Sequence, residues 1–208
     1  GRISQKHAQA LAKEVEHASL VAVCDIDEAR ARAVGEQYGI PYYTDMHAMM
    51  KEQGHAIHVI NILTESGSHA RHCLELVQYG KHIVVEKPMA LTLQDADAMI
   101  AACDKVGVRL FVVKQNRFNL PVQQLRRAYE AGRFGKIVAG TVRVRWCRTQ
   151  AYYDQDDWRG TWALDGGVFT NQASHHVDLL EWMLGEPVSV FAYARTALVD
   201  VEVEDTGF

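Results

Sequence analysis

Gly80-Lys81-His82-Ile83-Val84-Val85-Glu86-Lys87-Pro88 is the stretch on which the reading of this 208-residue chain turns. Its centre, residues 82–85, is short, apolar and β-branched, the composition of a buried strand. Gly80 stops the helical pattern of residues 66–79, as a left-handed C-cap does. This strand leads directly into Glu86, Lys87 and Pro88. A helix over residues 93–106 follows, with Thr92 as its cap, and then another apolar run, residues 108–113.

Working outward, the same alternation extends toward the N-terminus. Residues 20–24, 42–43 and 56–63 read as strands, and residues 27–38 and 46–53 as helices. The strands are continuous apolar runs, the pattern of a parallel sheet covered on both faces. This predicts an α/β fold with a Rossmann-type, doubly wound parallel sheet. A helix with proline at its start covers residues 121–131. The pattern changes after Gly135. Residues 136–146 alternate as one long strand, followed by a polar loop holding Tyr152, Tyr153, Trp158 and Trp162. Gly166-Gly167 then introduces a helix over residues 171–184, and residues 188–193 and 197–203 alternate again. A second α/β domain with a largely antiparallel open sheet is expected, with the boundary near residues 116–122. The division is 1–118 for the dinucleotide-type domain and 119–208 for the second. The chain opens directly in a helix and closes on two strands without clear partners, so residues, including a first strand, are expected to be missing at both ends.

Composition narrows the function classes. Hydrophobic residues make up 48% and charged residues 23%, with a net charge of −4. There is no basic excess of the kind a nucleic-acid binder shows, so no nucleic-acid partner is expected. No apolar stretch approaches the ~20 residues that cross a bilayer, so no membrane partner is expected either. Cys24, Cys73, Cys103 and Cys147 form no C-x-x-C pair and lie in or beside apolar runs. They read as buried free thiols in a reducing compartment, hence the cytoplasm.

Gly1 and Ser4 fit the second and third positions of a G-x-G-x-x-G loop, in which backbone approaches a pyrophosphate at a helix N-terminus. Gly1, Arg2 and Ile3 would then line the phosphates. Asp25 ends the next strand, where a carboxylate accepts hydrogen bonds from a ribose and repels a 2′-phosphate. NAD is therefore favoured over NADP. The alternative for Asp25 is a helix N-cap.

With these features around it, the strand ending in Glu86-Lys87-Pro88 resembles the Gfo/Idh/MocA family of sugar oxidoreductases. The resemblance implies that Lys87 lies beside nicotinamide and substrate, and that the proline follows an often cis bond. Ile62-Leu63-Thr64, with Ser66 and His69, resembles the family's preceding cofactor loop, with Glu65 where the family has proline. Gly166-Gly167, His175 and Asp178 match a further family pattern, and Asn171 replaces its aspartate. The four-residue spacing puts Asn171 and His175 on one helical face. With a reference pKa of ~6.5, His175 suits removal of an alcohol proton as hydride leaves. Asn171 cannot be a base and would bind substrate or orient His175, while Asp178 would hold a contact elsewhere. A metal is not expected, since the adjacent His175 and His176 point to different helix faces. For His176 a buried or interface position is preferred.

Lys114 to Asn119, Tyr152 to Gln155, Trp158 to Trp162 and Asn171 to His176 further resemble one subgroup of that family, the UDP-N-acetylglucosaminuronate 3-dehydrogenases. These oxidise C3 of a UDP-linked N-acetylated uronic acid on the way to bacterial surface polysaccharide. The implied catalytic residues are Lys87 and His175. The implied cofactor residues are Gly1, Arg2, Ile3, Asp25, Leu63, Thr64, His69, Glu86, Lys87, Trp158 and Arg159. Lys87, Lys114, Asn116, Arg117, Asn171 and His175 would bind the nucleotide-sugar substrate, with cations for a carboxylate and a diphosphate. The rivals are another sugar or cyclitol dehydrogenase of the family and a non-catalytic NAD-binding sensor. A homo-oligomer, tetramer or dimer, is expected through the alternating strand at residues 137–146.

Overall fold

The computed structural model describes residues 1–208; the side chain of Arg2, expected to line phosphates, lies outside the described residues. The chain packs as two compact units. The first comprises Gly1–Thr64, His69–Glu86 and Asp97–Phe111, and the second Glu65–Ser68, Lys87–Ala96 and Val112–Phe208.

In the first unit, helix α1 (Arg2–Lys13) precedes strand β1 (Val23–Cys24), α2 (Glu28–Tyr38), β2 (Tyr42–Tyr43) and α3 (Met46–Gln53). Strands β1 and β2 pair in parallel. The helix ends follow local chemistry. Asp27 accepts from the N–H groups of Ala29 and Arg30 at 3.0 and 3.2 Å, and Gly39 closes α2 with φ of 66°. Asp25 instead accepts from Asp27 N–H at 3.0 Å. The N-cap of α2 is thus Asp27, and Asp25 stands outside the helix.

Strands β3 (Val59–Ile62), β4 (His82–Val85) and β5 (Leu110–Val112) form a sheet in that order. Strands β3 and β4 are parallel, with Ile62 opposite Val85. They are joined by the 3-10 turn Ser66–Ser68, helix α4 (His69–Leu76) and the turn Val77–Tyr79, which Gly80 ends in the left-handed conformation. Helix α5 (Leu93–Val106) lies between β4 and β5 in the chain. Ile60, Ile62, Ile83 and Val85 are buried, together with Cys73, Leu76, Met99 and Cys103. The alternate residues Val59 and His82 are exposed, and Asn61 and Val84 are half-buried. The sheet is therefore sealed on one side and only partly covered on the other, where His7 of α1 meets Asn61 at 3.3 Å. Short strands whose second face carries His82 and Asn61 do not require two apolar layers.

The second unit holds α6 (Leu120–Glu130), α7 (Gln150–Tyr153), α8 (Ser174–Leu184) and an antiparallel pair, β6 (Ala194–Arg195) and β7 (Thr206–Gly207). The expected strand over residues 136–146 is not in a ladder among the described residues. Alternation fixes which side chains share a face, but a strand also needs a neighbour for its N–H and C=O groups. Val138 and Trp146 are exposed there, as are Val188, Val190 and Phe191 in the second expected strand. Residues 197–203 form a loop instead of a third. Asp205 captures the N–H groups of Ala197, Leu198 and Val199 at 3.0, 2.7 and 3.0 Å, drawing that backbone into a turn. Nor is residues 171–184 one helix: a π-helical turn (Val168–Gln172) precedes α8, with Ala173 at the junction. All four cysteines are free, but only Cys73 and Cys103 are buried, whereas Cys24 and Cys147 are exposed. Among the described residues no helix is long and apolar enough to cross a membrane.

Candidate active site

In the first unit, the residues singled out for a cofactor follow strand ends. Asp25 succeeds β1, and Leu63 and Glu86 succeed the paired ends of β3 and β4. Ligands of parallel α/β sheets bind outside such carboxyl ends. Gly1 precedes α1, whose first turn (Arg2, Ile3, Ser4) has no acidic residue to oppose an anion at the helix N-terminus. The Ser4 hydroxyl donates to the Gly1 carbonyl at 2.6 Å, and Ile3 is exposed. Asp25 is half-buried and lies 3.9 Å from Arg30. Thr64 is tied twice to the helix that follows it: its hydroxyl meets His72 at 3.0 Å, and its carbonyl accepts from His69 at 3.1 Å. His69 is 1% exposed, so its ring fastens the Thr64 loop from inside. Glu86 is 5% exposed and pairs with His7 at 2.9 Å. His7 had no motif to announce it, because its partner lies 79 positions away.

The second unit carries a denser polar cluster. The peptide between Lys87 and Pro88 is cis. Lys87 Nζ donates to Asn171 twice, to its carbonyl at 2.9 Å and to its side-chain Oδ1 at 2.8 Å. The Asn171 amide donates in turn to Asp165 Oδ1, and Asp165 Oδ2 accepts from Gly160 N–H at 2.8 Å. Asp165 is 2% exposed. Burial pushes its carboxyl above the ordinary range, against the N–H donors of Gly160 and Asn171 and the charges of Arg159 and Lys87. Gly160 is required here, since its φ is +70° and an added Cβ would meet Val201 at 2.6 Å.

His175 is the second residue of α8 and is buried, with its Nε2 3.3 Å from the Gln115 amide. A donor from that amide needs an unprotonated Nε2, the state in which the ring accepts a proton. Asp178, one turn further on, takes both arms of Arg117 at 2.8 Å and stands 3.6 Å from Lys114. The guanidinium also lies 5.1 Å from the Trp182 ring. Arg117 and Lys114, expected to meet an anionic substrate, are thus directed first at a buried carboxylate of their own unit. Asn116 accepts from Asn119 at 3.5 Å. Arg159 lies over Trp158 and Tyr152, 4.4 and 4.7 Å from the ring centres, and donates to Asp156 at 2.8 Å. Arg148, which drew no attention in the sequence, stacks on Trp146 and on the same Tyr152 ring, and donates to Gln172 at 3.2 Å. His176 packs edge-on against Trp146. In the segment 65–68, Glu65 accepts from the Ser68 hydroxyl and Gly67 N–H donates to Leu164 at 3.0 Å. The glutamate that stands in place of proline therefore closes a local turn. A cavity of about 240 Å³ beside Arg159 is lined by Asp154, Asp156, Asp157, Asp200 and Glu202, a poor lining for an anionic ligand.

Of the expected residues, Lys87 and Asn171 are brought into direct contact, and His175 stands in the same unit with Gln115. Asp165 and Gln115 were missed. Asp165 reads as a turn residue before Gly166-Gly167, and only burial distinguishes it from one.

Residues 1–114 match the family model described as "Oxidoreductase family, NAD-binding Rossmann fold", and residues 122–208 match the "GFO/IDH/MocA C-terminal domain". A solved structure of the WlbA dehydrogenase from Chromobacterium violaceum, in complex with NADH and UDP-GlcNAcA, is 44% identical with a TM-score of 0.94, covering 100% of this chain and 59% of that one. The WlbA dehydrogenase from Bordetella pertussis, with the same two ligands, is 45% identical with a TM-score of 0.93, covering 100% and 64%. Myo-inositol 2-dehydrogenase of Thermotoga maritima is 29% identical over 208 residues, 100% of this chain and 59% of that protein. The chain spans less than two thirds of the length of each of these proteins.

Proposed function

Since the chain belongs to the Gfo/Idh/MocA family of oxidoreductases, we propose that it serves an NAD-dependent dehydrogenase that oxidises the C3 hydroxyl of a UDP-linked N-acetylated uronic acid. The observation that carries this reading is the Lys87–Asn171 contact, with His175 in the same unit, in a chain 44% identical to a dehydrogenase solved with NADH and UDP-GlcNAcA.

The residues present fit the cofactor. A helix N-terminus without acidic residues suits a pyrophosphate, and a half-buried Asp25 after β1 suits the two ribose hydroxyls. When bound, NAD supplies the hydride acceptor. The chain's own residues handle the proton and the charge. His175 Nε2 takes the proton of the C3 hydroxyl once the substrate hydroxyl replaces the Gln115 amide at its lone pair. The Lys87 ammonium donates to the same oxygen as it becomes anionic, the moment at which such an interaction lowers a barrier. Asn171 holds Lys87 without adding a charge that would oppose a uronate. The alcohol thus gives up a hydride and a proton and leaves as a ketone.

A second reading, oxidation of a cyclitol, is favoured by the likeness to the Thermotoga maritima enzyme and by the engagement of Arg117 and Lys114 with Asp178. NADH formation with UDP-N-acetylglucosaminuronate, UDP-N-acetylglucosamine and myo-inositol separates the two. Turnover of the uronate alone is expected; activity on inositol alone, or equal activity on all three, overturns the substrate assignment. Tighter binding of NADP(H) than of NAD(H) would remove the role given to Asp25. A place in cytoplasmic synthesis of bacterial surface polysaccharide, and assembly as a homo-oligomer, belong to the same proposal. Light scattering of the purified protein checks the assembly.

A further inference from the structure

We propose that Asp165 is a positioning residue, whose buried carboxylate fixes which end of the Asn171 amide faces Lys87. The inference rests on the reading of Lys87 given above. The two ends of an asparagine amide are nearly the same size, so neighbours alone decide which is which. On one side of Asn171 stands Lys87, an ammonium that can only donate. On the other stands Asp165, which receives N–H donors on both oxygens, from Asn171 and from Gly160 at 2.8 Å. With Asp165 2% exposed, water does not compete for either oxygen. The polarity therefore runs one way, from the Lys87 N–H to Asn171 Oδ1 and from Asn171 Nδ2 to the Asp165 carboxylate. Turning the amide over would set NH2 against NH3⁺ and C=O against a carboxylate, two repulsive contacts in a site of low dielectric.

The arrangement also places a negative charge one amide away from the amine. Arg159 and Lys87 are the cations acting on Asp165, and the buried Tyr153 phenol is the other titratable group beside it. Asp165 thereby holds Lys87 through Asn171 while its own charge stays off the substrate side of the amine. A glycine at position 160 lets the backbone N–H reach Oδ2, so the loop before Asp165 is shaped around the carboxylate.

The test is an exchange of charge, read on whichever substrate the protein oxidises. Asp165→Asn is expected to lower kcat at least about tenfold, a difference of ~1.4 kcal/mol, with little change in the KM for cofactor. Asn171→Asp with Asp165 retained sets two carboxylates side by side and is also expected to be slow. The double variant Asp165→Asn/Asn171→Asp returns one carboxylate and one amide to the pair. It is expected to exceed Asn171→Asp at least about tenfold, so the two changes are strongly non-additive. Unchanged kcat in Asp165→Asn, or effects that multiply in the double variant, overturns the proposal. Neutron diffraction of the deuterated wild-type protein gives the orientation without reference to activity. Deuterons of the Asn171 amide pointing at Asp165 support the proposal, and deuterons pointing at Lys87 overturn it. If none of the three candidate substrates is oxidised, the reading of Lys87 fails, and the neutron map still decides the orientation.

Discussion

Glu86 and Lys87 are joined by one peptide bond, yet they close two differently built regions. Behind Glu86 lies a parallel sheet whose buried residues are Ile60, Ile62, Ile83 and Val85, all apolar. Beyond Lys87, within the fourteen residues 165–178, four polar side chains are buried: Asp165, Asn171, His175 and Asp178. The first region gains stability from area removed from water, about 25 cal/mol per Å². The second has to satisfy each buried polar group with a partner and gains little net stability by doing so. Such a cluster is kept at a cost in stability, and that contrast is the ground for the roles proposed above for its residues.

The contrast breaks most readily at Lys87. Lys87→Met removes the charge that meets a developing alkoxide, so kcat is expected to fall by roughly two to three decades, ~3–4 kcal/mol. Cofactor affinity should hardly move, while the melting temperature should drop modestly because buried Asn171 loses its Lys87 donor; near-normal turnover in a steady-state assay would reduce Lys87 to a structural lysine. Ile83→Ala probes the other region. Ile83 is 0% exposed, and truncating such a residue costs about 2–5 kcal/mol, so chemical denaturation should show a clear loss of stability while the folded fraction keeps its kcat. If kcat falls instead, the sheet is more than a scaffold.

Arg117→Ala sharpens the comparison from the polar side. It leaves Asp178, 7% exposed in its side chain, with Lys114 alone at 3.6 Å. Arg117 is partly open to solvent, so the loss is expected at the low end for a charged hydrogen bond, about 1.5 kcal/mol. A drop in melting temperature with an unchanged KM for sugar substrate would assign Arg117 to holding α8; a raised KM with unchanged stability would return it to the substrate.

The smallest effect belongs to Asp205. Burial pushes its carboxyl upward, but the N–H groups of Leu198, Val199 and Ala197 and the Thr206 hydroxyl outweigh this and hold it below the usual range. A carboxyl depressed in the folded state contributes stability above its unfolded value, and the contribution is lost as pH falls through the folded value. Thermal melts from pH 7 downward should show a slightly shallower acid limb for Asp205→Asn than for the wild type. An identical limb would mean that those N–H groups find equal partners without the charge.

Periodicity and caps made α2, α3, α5 and β4 legible, because the signals that form them lie within a few residues. Asp27, Gly39 and Gly80 act on their own helices, and the apolar run of 82–85 needs only to be buried. The alternation of residues 136–146 misled for the complementary reason: it reports on faces and carries no information about a pairing partner. A Gly-Gly turn followed by helical spacing likewise did not reveal the π-helical turn over Val168–Gln172.

The sequence by itself determined the family and the parallel α/β unit and pointed to Lys87, Asn171 and His175 as candidates, since these rest on composition, spacing and short motifs. Only the tertiary structure decided what each of them touches. Lys87 and Asn171 are 84 positions apart, His7 and Glu86 79, and Arg117 and Asp178 61. Polar partners carry no periodicity, and a carboxylate at a turn looks the same in sequence whether solvent or an asparagine amide meets it. Asp165 became visible only when folding took water away from it and left Asn171 and Gly160 in its place.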